Sequence, residues 1–393
     1  MKTVGVICEF DPVHRGHAWL LEEVRRRGAD CIVCAMSGNF TQRGEAAAFD
    51  KLSRARMAVA AGADLVVELP TVWALSGAES FARGGVAVLT LAGCTHLAFG
   101  SECGDLAALQ RVAEALRSPG FDGAVREKLS AGITYAAARQ AAAEALLGPD
   151  GALLRQPNNI LGIEYLKAIA APESPLVPET VRRQGDGHDS PAAGEFASGS
   201  CIRELLRAGR TAEALALLPE SSAAIVSEEL AALRAPADLQ RCERAVLAKL
   251  RTMPEADWER LCGGGEGLYH RLYQAVRSAA SLPEVWETAK TRRYPLSRLR
   301  RTVLRAWLEV PEAPAHPPYL RLLAANETGR NWLRTLKKGG APILTKAADV
   351  SALGADAAAF FAREAAWTDL YDLARPRLST PGGDWRITPY MEL

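Results

Sequence analysis

Short apolar runs alternate with amphipathic stretches over the first hundred residues of the chain. The apolar runs cover residues 4–10, 31–36, 65–69 and 96–99. Helical spacing of apolar positions follows the first three runs, over residues 18–27, 49–61 and 76–91. Buried strands that alternate with helices favour parallel pairing through right-handed crossovers. The pattern predicts an α/β domain with a doubly wound, Rossmann-type parallel sheet.

The pattern changes after the first hundred residues. Ala-rich helical stretches cover residues 107–147, a further helix covers 160–169, and a fifth strand is predicted near 180–183. Beyond Gly209 strand signals almost vanish, and helical spacing continues to about residue 338. We therefore predict an α/β domain over residues 1–208 and a mainly helical domain over 209–393.

Composition narrows the class of protein. A chain of 393 residues is too long to fold around one ordinary hydrophobic core. A composition of 48% hydrophobic and 24% charged residues is typical of soluble proteins. No apolar run approaches the roughly 20 residues that cross a bilayer. The chain enters a strand at Val4 without the cleavage region of a signal peptide. We expect a cytoplasmic protein with no membrane partner.

The eight cysteines are scattered, which favours free thiols in a cytoplasmic chain. Cys31 and Cys34 have the spacing of zinc ligands, but they lie within an apolar run and no second Cys or His pair has matching spacing. We predict that both belong to the core, with no metal site.

The turn His14-Arg15-Gly16-His17 lies between the first strand and the next helix. Two histidines three residues apart share one face of a helical turn, and Gly16 has no side chain to block a ligand. A helix N-terminus attracts phosphates through its free N–H groups and its dipole. Imidazole donors would stabilise the charge that grows as pyrophosphate leaves ATP. We predict ATP binding and adenylate formation, with His14 and His17 catalytic; surface or metal-binding histidines are the alternative.

Other polar segments are predicted at the same edge of the sheet, where ligands of open α/β sheets bind. Residues 198–203 place hydroxyl N-cap candidates and Arg203 at a helix start. The polar loop 37–45 follows the second strand, and Gly100 ends the fourth. Arg203, with Lys51 or Arg43, would neutralise pyrophosphate. An ordinary helix cap and a solvated loop are the alternatives.

Several longer segments resemble those of bacterial tRNA(Met) cytidine acetate ligases. Two are Ile7-Cys8-Glu9-Phe10-Asp11-Pro12-Val13-His14-Arg15-Gly16-His17 and Ser37-Gly38-Asn39-Phe40-Thr41-Gln42-Arg43-Gly44-Glu45. Further similar segments cover residues 63–70, 99–102, 156–162, 266–268, 290–294 and 318–321. The resemblance therefore spans nearly the whole chain.

The resemblance implies an HxGH nucleotidyltransferase-like domain that activates acetate with ATP, releasing pyrophosphate. The acetyl group of the adenylate would pass to N4 of the wobble cytidine of elongator tRNA(Met), and Mg²⁺ would accompany the ATP. It also implies ATP contacts from Gly100, from Asn158 or Asn159, and from Arg182 or Arg183. Further contacts would come from the first segment: Ile7, Cys8, Glu9, Phe10, Asp11, Pro12, Val13, Arg15, Gly16, Ala18, Trp19 and Leu20.

The sequence departs from the family in two places. A Tyr-His pair usually follows the arginine, whereas this chain reads Arg182-Arg183-Gln184-Gly185, so the choice between the two arginines stays open. Gly199 and Cys201 stand where the family tends to have alanine and other residues. The flanking hydroxyls and Arg203 are kept, so the prediction of phosphate binding stands.

A basic run between residues 290 and 305 is the candidate RNA surface. Its members are Lys290, Arg292, Arg293, Arg298, Arg300, Arg301 and Arg305, with Tyr294 interleaved. Basic side chains neutralise phosphates, and a tyrosine can stack on a splayed base. We predict RNA contacts from Lys290, Arg292, Arg293, Tyr294, Arg298 and Arg301. A solvated basic helix face is the alternative.

Two other functions fit parts of the pattern. A nucleotidyltransferase that acts on small molecules would share the fold but would not need the basic run. A non-catalytic RNA-binding protein would not need both His14 and His17. The oligomeric state stays open.

Overall fold

The computed structural model describes residues 1–130, 133–170, 174–184, 196–262 and 267–392. Most of the glycine-rich loop expected at 184–196 lies outside these residues, as does Glu266 of the segment 266–268.

A parallel sheet forms the centre of the N-terminal half. Its strands are β1 (Thr3–Cys8), β2 (Cys31–Ser37), β3 (Leu65–Leu69), β4 (His96–Ser101) and β5 (Val177–Arg182). They are ordered β5-β4-β1-β2-β3 and all four pairings are parallel. Strands β1, β2 and β3 are buried along their whole length, which explains why continuous apolar runs predicted them. The predicted doubly wound α/β fold is confirmed.

Helices connect these strands and cover the sheet. They are α1 (Arg15–Arg26), α2 (Lys51–Ala60), α3 (Thr71–Ala74), α4 (Ala78–Leu91), α5 (Leu106–Arg117), α6 (Pro119–Leu129), α7 (Tyr135–Leu147) and α8 (Pro157–Ile169). A 3-10 helix at Gly148–Arg155 precedes α8.

The remainder of the chain is mainly helical. The helices are α9 (Gly199–Arg207), α10 (Thr211–Ala216), α11 (Glu220–Ala231), α12 (Glu243–Thr252), α13 (Glu255–Cys262), α14 (Leu268–Ser278), α15 (Leu282–Ala289), α16 (Leu296–Leu308), α17 (Glu327–Lys338), α18 (Ala355–Asp372) and α19 (Gly383–Arg386). Within the described residues beyond 208, two 3-10 helices lie at Leu239–Cys242 and Ala347–Leu353.

Strands also occur beyond residue 208. Strand β6 (Leu320–Ala325) pairs antiparallel with β3, and the short strands β7 (Ile343–Leu344) and β8 (Tyr390–Met391) pair with β6. The sequence Leu-Arg-Leu-Leu-Ala-Ala of β6 consists of good helix formers, so its strand conformation follows from pairing in the sheet. The sheet therefore extends across the boundary expected at 208/209.

A buried ionic cluster joins the C-terminal segment to the sheet. It consists of Lys51 on α2, Glu68 on β3, Arg321 on β6 and Asp384 on α19, each at most 7% exposed. Lys51 Nζ lies 2.9 Å from Glu68 Oε1 and 2.8 Å from Asp384 Oδ2. Arg321 Nη1 lies 2.7 Å from the same Asp384 oxygen. The cluster fixes the last helix beneath the start of α2.

Cys31 and Cys34 are fully buried in β2, in the core position expected of them. The described cysteines are free thiols. Among the described residues, no helix combines the length and the apolar composition that a membrane span requires.

Candidate nucleotide site

A cavity of about 330 Å³ lies at the carboxyl ends of β1 and β4, where α1, α8 and α9 begin. The residues that the sequence proposed for ATP or catalysis and that line it are Ile7, Cys8, Glu9, Phe10, Asp11, His14, His17, Leu20, Gly100, Asn158, Arg183 and Arg203. Those that do not line it are Pro12, Val13, Arg15, Gly16, Ala18, Trp19, Asn159 and Arg182. The edge of the sheet that was expected to hold the ligand thus brings most of the proposed residues together.

The two histidines cap helix α1 and stack on each other. Gly16 N donates to His14 Nδ1 at 3.1 Å, and His14 N donates to His17 Nδ1 at 3.4 Å. The ring centroids are 3.6 Å apart with the planes inclined by 23°. Because each Nδ1 accepts a backbone hydrogen bond, the proton of each neutral ring lies on Nε2. Nε2–H is then the donor that each imidazole can offer to a ligand.

Gly16 and Gly199 allow neighbouring groups to pack closely around the histidine pair. A Cβ on Gly16 would lie 3.1 Å from His14 Cε1, so this glycine makes room for the ring, whereas the sequence suggested room for a ligand. A Cβ on Gly199 would lie 3.2 Å from Arg203 Nη1 and 3.3 Å from the carbonyl oxygen of Asp11. An alanine at 199 would therefore require Arg203 and the Asp11 backbone to shift by a few tenths of an ångström.

Arg203 connects the start of α9 to the turn before α1. Its Nη1 donates to the carbonyl oxygen of Asp11 at 2.6 Å, and its Nη2 donates to Ser200 Oγ at 3.3 Å. Ser198 caps α9 by accepting from Cys201 N at 3.2 Å. The cavity therefore faces two helix N-termini with a guanidinium between them, an arrangement suited to phosphate.

Asn158 and Asn159 have different surroundings. The Glu102 carboxylate accepts hydrogen bonds from Asn158 Nδ2 at 2.7 Å and from Asn159 N at 2.7 Å. Asn159 is fully buried, and its Oδ1 accepts from the backbone N–H groups of Glu102 and Cys103. Asn159 thus ties α8 to the loop after β4, while Asn158 borders the cavity.

Arg182 and Arg183 point in different directions at the end of β5. The Arg182 side chain is exposed and packs against Gly104, where a Cβ would come within 2.7 Å of it. Arg183 lies beside Gly100 and lines the cavity. Burial lowers the pKa of Arg183, and Glu102 only partly opposes this. Neighbours on an extended chain point to opposite sides, so only one of the two arginines faces the cavity.

Loop 37–45 forms another wall, and the buried Arg54 holds it in place. Arg54 Nη1 donates to the carbonyl oxygen of Glu9 at 2.5 Å, and Nη2 donates to that of Ser37 at 3.1 Å. Gln42 N donates to Glu9 Oε1 at 2.6 Å. Burial raises the pKa of Glu9, against the effects of the Gln42 N–H and of the cavity arginines. The sequence placed Arg54 after a polar loop but gave no sign that it is buried beneath that loop.

Lys51 lies in the ionic cluster and Arg43 lines the cavity. Of these two candidates for neutralising pyrophosphate, only Arg43 is therefore suitably placed. The cavity also has apolar lining residues that the sequence reasoning missed, because they share the spacing of core positions in their helices: Ala78, Phe81, Ile160, Leu161 and Tyr165.

The basic run divides into exposed and docked members. Lys290, Arg292 and Arg293 are exposed between α15 and α16. Tyr294 is only 5% exposed, with the guanidinium carbons of Arg293 and Arg298 at 5.8 and 5.6 Å from its ring centroid. Its ring belongs to the helical core, so the expected stacking on an RNA base does not fit this structure.

Arg301 also departs from the RNA-binding prediction. Its Nη1 donates to the carbonyl oxygen of Gln42 at 2.9 Å, within loop 37–45 of the nucleotide site. Its neighbour Arg300 forms an ion pair with Glu45 in the same loop. Both belong to the basic run, and Arg301 was among the predicted RNA contacts, because nothing local shows which face of α16 packs on the α/β domain.

Comparison with known proteins supports this description. Residues 1–382 match the family described as HIGH Nucleotidyl Transferase. The tRNA(Met) cytidine acetate ligase of Caldanaerobacter subterraneus is 36% identical over 386 residues, covering 95% of this chain and 96% of the relative. That of Fervidobacterium nodosum is 34% identical over 359 residues, covering 88% and 84%.

Two crystal structures of Thermotoga maritima TmcAL are also similar. The apo form has a TM-score of 0.93 at 30% identity, and the form bound with alpha-thio ATP has 0.92 at 31%. Each comparison covers 100% of this chain and 99% of the other. The chain therefore belongs to the tRNA(Met) cytidine acetate ligase family of HIGH nucleotidyl transferases.

Proposed function

We propose that this protein activates acetate with ATP and transfers the acetyl group to N4 of the wobble cytidine of elongator tRNA(Met), giving N4-acetylcytidine in the cytoplasm. One observation carries the catalytic half of this proposal: the stacked His14–His17 pair and Arg203 meet in one cavity between the N-termini of α1 and α9. The relatives' name supplies acetate and tRNA(Met).

The first step requires positioning and charge stabilisation. A carboxylate oxygen of acetate attacks the α-phosphorus of ATP, and the bond from that phosphorus to the oxygen bridging to the β-phosphate breaks. His14 and His17 donate from Nε2 to phosphate oxygens, and Arg203 and Arg43 offset the charge of the departing pyrophosphate. Mg²⁺ would arrive with the nucleotide and screen the same charge. No described residues form a cluster of three or more side chains suited to a metal.

The second step uses the acetyl-adenylate as acyl donor. The N4 nitrogen of cytidine attacks the acetyl carbonyl carbon, the bond to the AMP phosphate oxygen breaks, and a proton leaves N4. Gly100, Asn158 and Arg183 border the cavity on the β4 side, and we assign them to the nucleotide. The apolar side chains of Phe81, Leu161 and Tyr165 provide a surface for the adenine ring.

We assign ATP chemistry to residues 1–208 and tRNA binding to residues 209–393, which also provide β6 to the sheet. The exposed Lys290, Arg292 and Arg293, with Arg298 at the start of α16, form the proposed phosphate-binding surface. Charge reversal at Arg292 and Arg293 should weaken tRNA binding and leave ATP binding unchanged. Equal loss of both would indicate misfolding.

The decisive experiment incubates the protein with ATP, labelled acetate and total bacterial tRNA. Elongator tRNA(Met) is then isolated from the other tRNAs, and the nucleosides of each fraction are separated. Label in N4-acetylcytidine, confined to elongator tRNA(Met), supports the proposal. Acetate-independent ATP turnover with no label in RNA would favour a nucleotidyltransferase that acts on small molecules. RNA binding without ATP turnover would favour a binding protein.

A further inference from the structure

Residues 41–45 form a tight turn between helix α16 and the cavity. Thr41 N donates to the carbonyl oxygen of Glu45 at 3.0 Å, and Gly44 N donates to that of Thr41 at 2.9 Å. Gln42 and Arg43, at the tip, line the cavity. The position of this turn therefore determines the shape of one wall of the nucleotide site.

Helix α16 holds the turn from the outside. Gly44 has a φ of +78°, and a Cβ there would lie 2.7 Å from the Arg300 carbonyl carbon and closer still to Arg301 N. The turn thus touches the helix backbone directly. Arg301 Nη1 donates to the Gln42 carbonyl oxygen at 2.9 Å, and Arg300 pairs with Glu45.

The inner side of the same turn contacts charged cavity residues. Gln42 N donates to Glu9 Oε1 at 2.6 Å, and Glu45 Oε2 lies 3.8 Å from Arg203 Nη2. Gln42 therefore receives a hydrogen bond from Arg301 through its carbonyl and gives one to Glu9 through its N–H. Glu45 lies between Arg300 and Arg203 in the same way. Arg300 and Arg301 are therefore each connected, through one residue of the turn, to a charged side chain that lines the cavity.

The half-buried guanidinium of Arg301 is partly desolvated, which costs free energy. Burial lowers the pKa of Arg301 to about 10, with Arg298 acting in the same direction and Glu9 opposing it. The side chain stays charged at neutral pH. A partly desolvated cation that donates to the carbonyl oxygen of Gln42 does not obtain the full compensation of a buried ion pair. A methionine or leucine there would pack on the loop without that cost.

We propose that Arg301, assisted by Arg300, is a positioning residue for ATP: it holds the 41–45 turn so that Gln42, Glu9 and Arg43 form the wall of the nucleotide cavity. This inference rests on the proposed function only in taking ATP as the ligand of the cavity. In this proposal Arg301 is no longer part of the RNA-binding surface, and the helical part of the chain contributes to nucleotide binding.

The test separates ATP binding from RNA binding in the full-length protein. Arg301→Gln should raise KM for ATP about tenfold in acetate-dependent ATP–pyrophosphate exchange, because the turn loses one charge-assisted hydrogen bond. The kcat of exchange should change less than KM, since the histidines and Arg203 remain. The Kd for tRNA should stay unchanged. Arg301→Lys, which keeps a charged donor, should recover most of the loss.

The matched control is Arg292→Gln, which removes an exposed arginine nine residues earlier. It should weaken tRNA binding and leave the KM for ATP unchanged. The reverse result, with Arg301→Gln weakening tRNA binding alone, would overturn the inference and restore the RNA role. An equal rise of the KM for ATP in Arg301→Gln and Arg301→Lys, together with a lower melting temperature, would also overturn the inference. Such a result would show that Arg301 has a general packing role.

Failure of the proposed function is distinguishable from failure of this inference. If the wild-type protein shows no acetate-dependent exchange, the ligase proposal fails, and equilibrium binding of ATP then tests the turn directly. A tenfold weaker Kd for ATP in Arg301→Gln would still support the positioning role. Unchanged ATP binding would overturn it.

Discussion

The nucleotide cavity and the ionic cluster use the same residue types but balance their charges differently. In the cluster, Lys51 lies 2.8 to 2.9 Å from both carboxylates, and Arg321 lies 2.7 Å from Asp384 and 3.4 Å from Glu68. The cavity is lined by three arginines and two carboxylates: Arg43, Arg183, Arg203, Glu9 and Asp11. The Asp11 carboxylate already accepts hydrogen bonds from the backbone N–H groups of Ala48 and Phe49. The cluster is thus neutralised by its own members, whereas the cavity keeps an excess of positive charge.

The pKa values reflect this contrast. Burial alone would lower the pKa of Arg321, but Glu68 and Asp384 raise it above its ordinary value. Burial lowers the pKa of Arg183, and Glu102 compensates only in part. A cation that is buried beside an open cavity without full compensation gains stabilisation when an anion binds there. The nucleotide cavity therefore differs from the ionic cluster in the incomplete compensation of its charges, not in the presence of charged residues.

The largest expected effect is on catalysis in the cavity. His17→Ala should reduce acetate-dependent pyrophosphate release about 100- to 1000-fold, because the phosphates lose a donor that acts in the transition state. Circular dichroism should show an unchanged fold. His270→Ala, which removes an exposed histidine of the helical part, is the matched control and should keep full activity. Near-normal turnover of His17→Ala would contradict the catalytic assignment.

A substitution in the ionic cluster should lower the stability of the protein rather than its catalytic activity. Lys51→Met leaves Glu68 and Asp384 buried without one of their two cations, so the free energy of unfolding should fall by about 3–5 kcal/mol. Urea unfolding measures this change, with Lys337→Met, at an exposed position of α17, as the control. The folded variant should keep its KM for ATP. A higher KM for ATP with unchanged stability would instead return Lys51 to the phosphate site.

Sequence patterns predicted the strands that are buried throughout. The apolar runs at 31–36 and 65–69 correspond to β2 and β3 almost residue by residue. Strand β6 was missed because its leucines and alanines also suit a helix, and only its pairing with β3 selects the extended form. A local pattern of apolar residues therefore predicts a strand that is buried along its whole length. It fails where pairing with a strand distant in sequence determines the conformation.

The same distinction applies to the site. The meeting of His14, His17 and Arg203 followed from one rule, that parallel strands present their carboxyl ends at one edge. The directions of individual side chains could not be predicted from that rule. Arg301 contacts Gln42, which lies 259 residues away, and Tyr294 turns into a core built from several helices. Such contacts depend on how elements pack, which spacing along one helix does not reveal.

A smaller effect should distinguish neighbouring arginines. Arg183→Gln should raise the KM for ATP about tenfold, because a charged donor beside Gly100 is lost. Arg182→Gln should leave it unchanged, since that side chain packs against Gly104 outside the cavity. Steady-state kinetics of both variants measures the difference. A wild-type KM in Arg183→Gln would mean that Arg183 does not contact the nucleotide, and a raised KM in Arg182→Gln would contradict its placement outside the cavity.

The smallest expected effect concerns pH, at a carboxylate beside the cluster. Glu364 accepts hydrogen bonds from Thr71 N at 2.8 Å and Thr71 Oγ1 at 2.7 Å. Burial, reinforced by the charge of Glu68, raises its pKa from 4.5 to about 8. The folded state therefore holds this proton more tightly than the unfolded state does. Its contribution to stability is complete below pH 4.5 and is lost as pH rises to about 8.

Glu364→Gln removes that titration and keeps a side chain of the same size. The fall in urea midpoint between pH 5.5 and pH 8.5 should therefore be smaller in the variant than in the wild type. Glu392→Gln, near the C-terminus and away from Glu68, should leave the fall unchanged. An identical fall in wild type and Glu364→Gln would mean that Glu364 is ionised in the folded protein at pH 5.5. The cluster would then carry an additional buried negative charge, and its charge balance would resemble that of the cavity with the sign reversed.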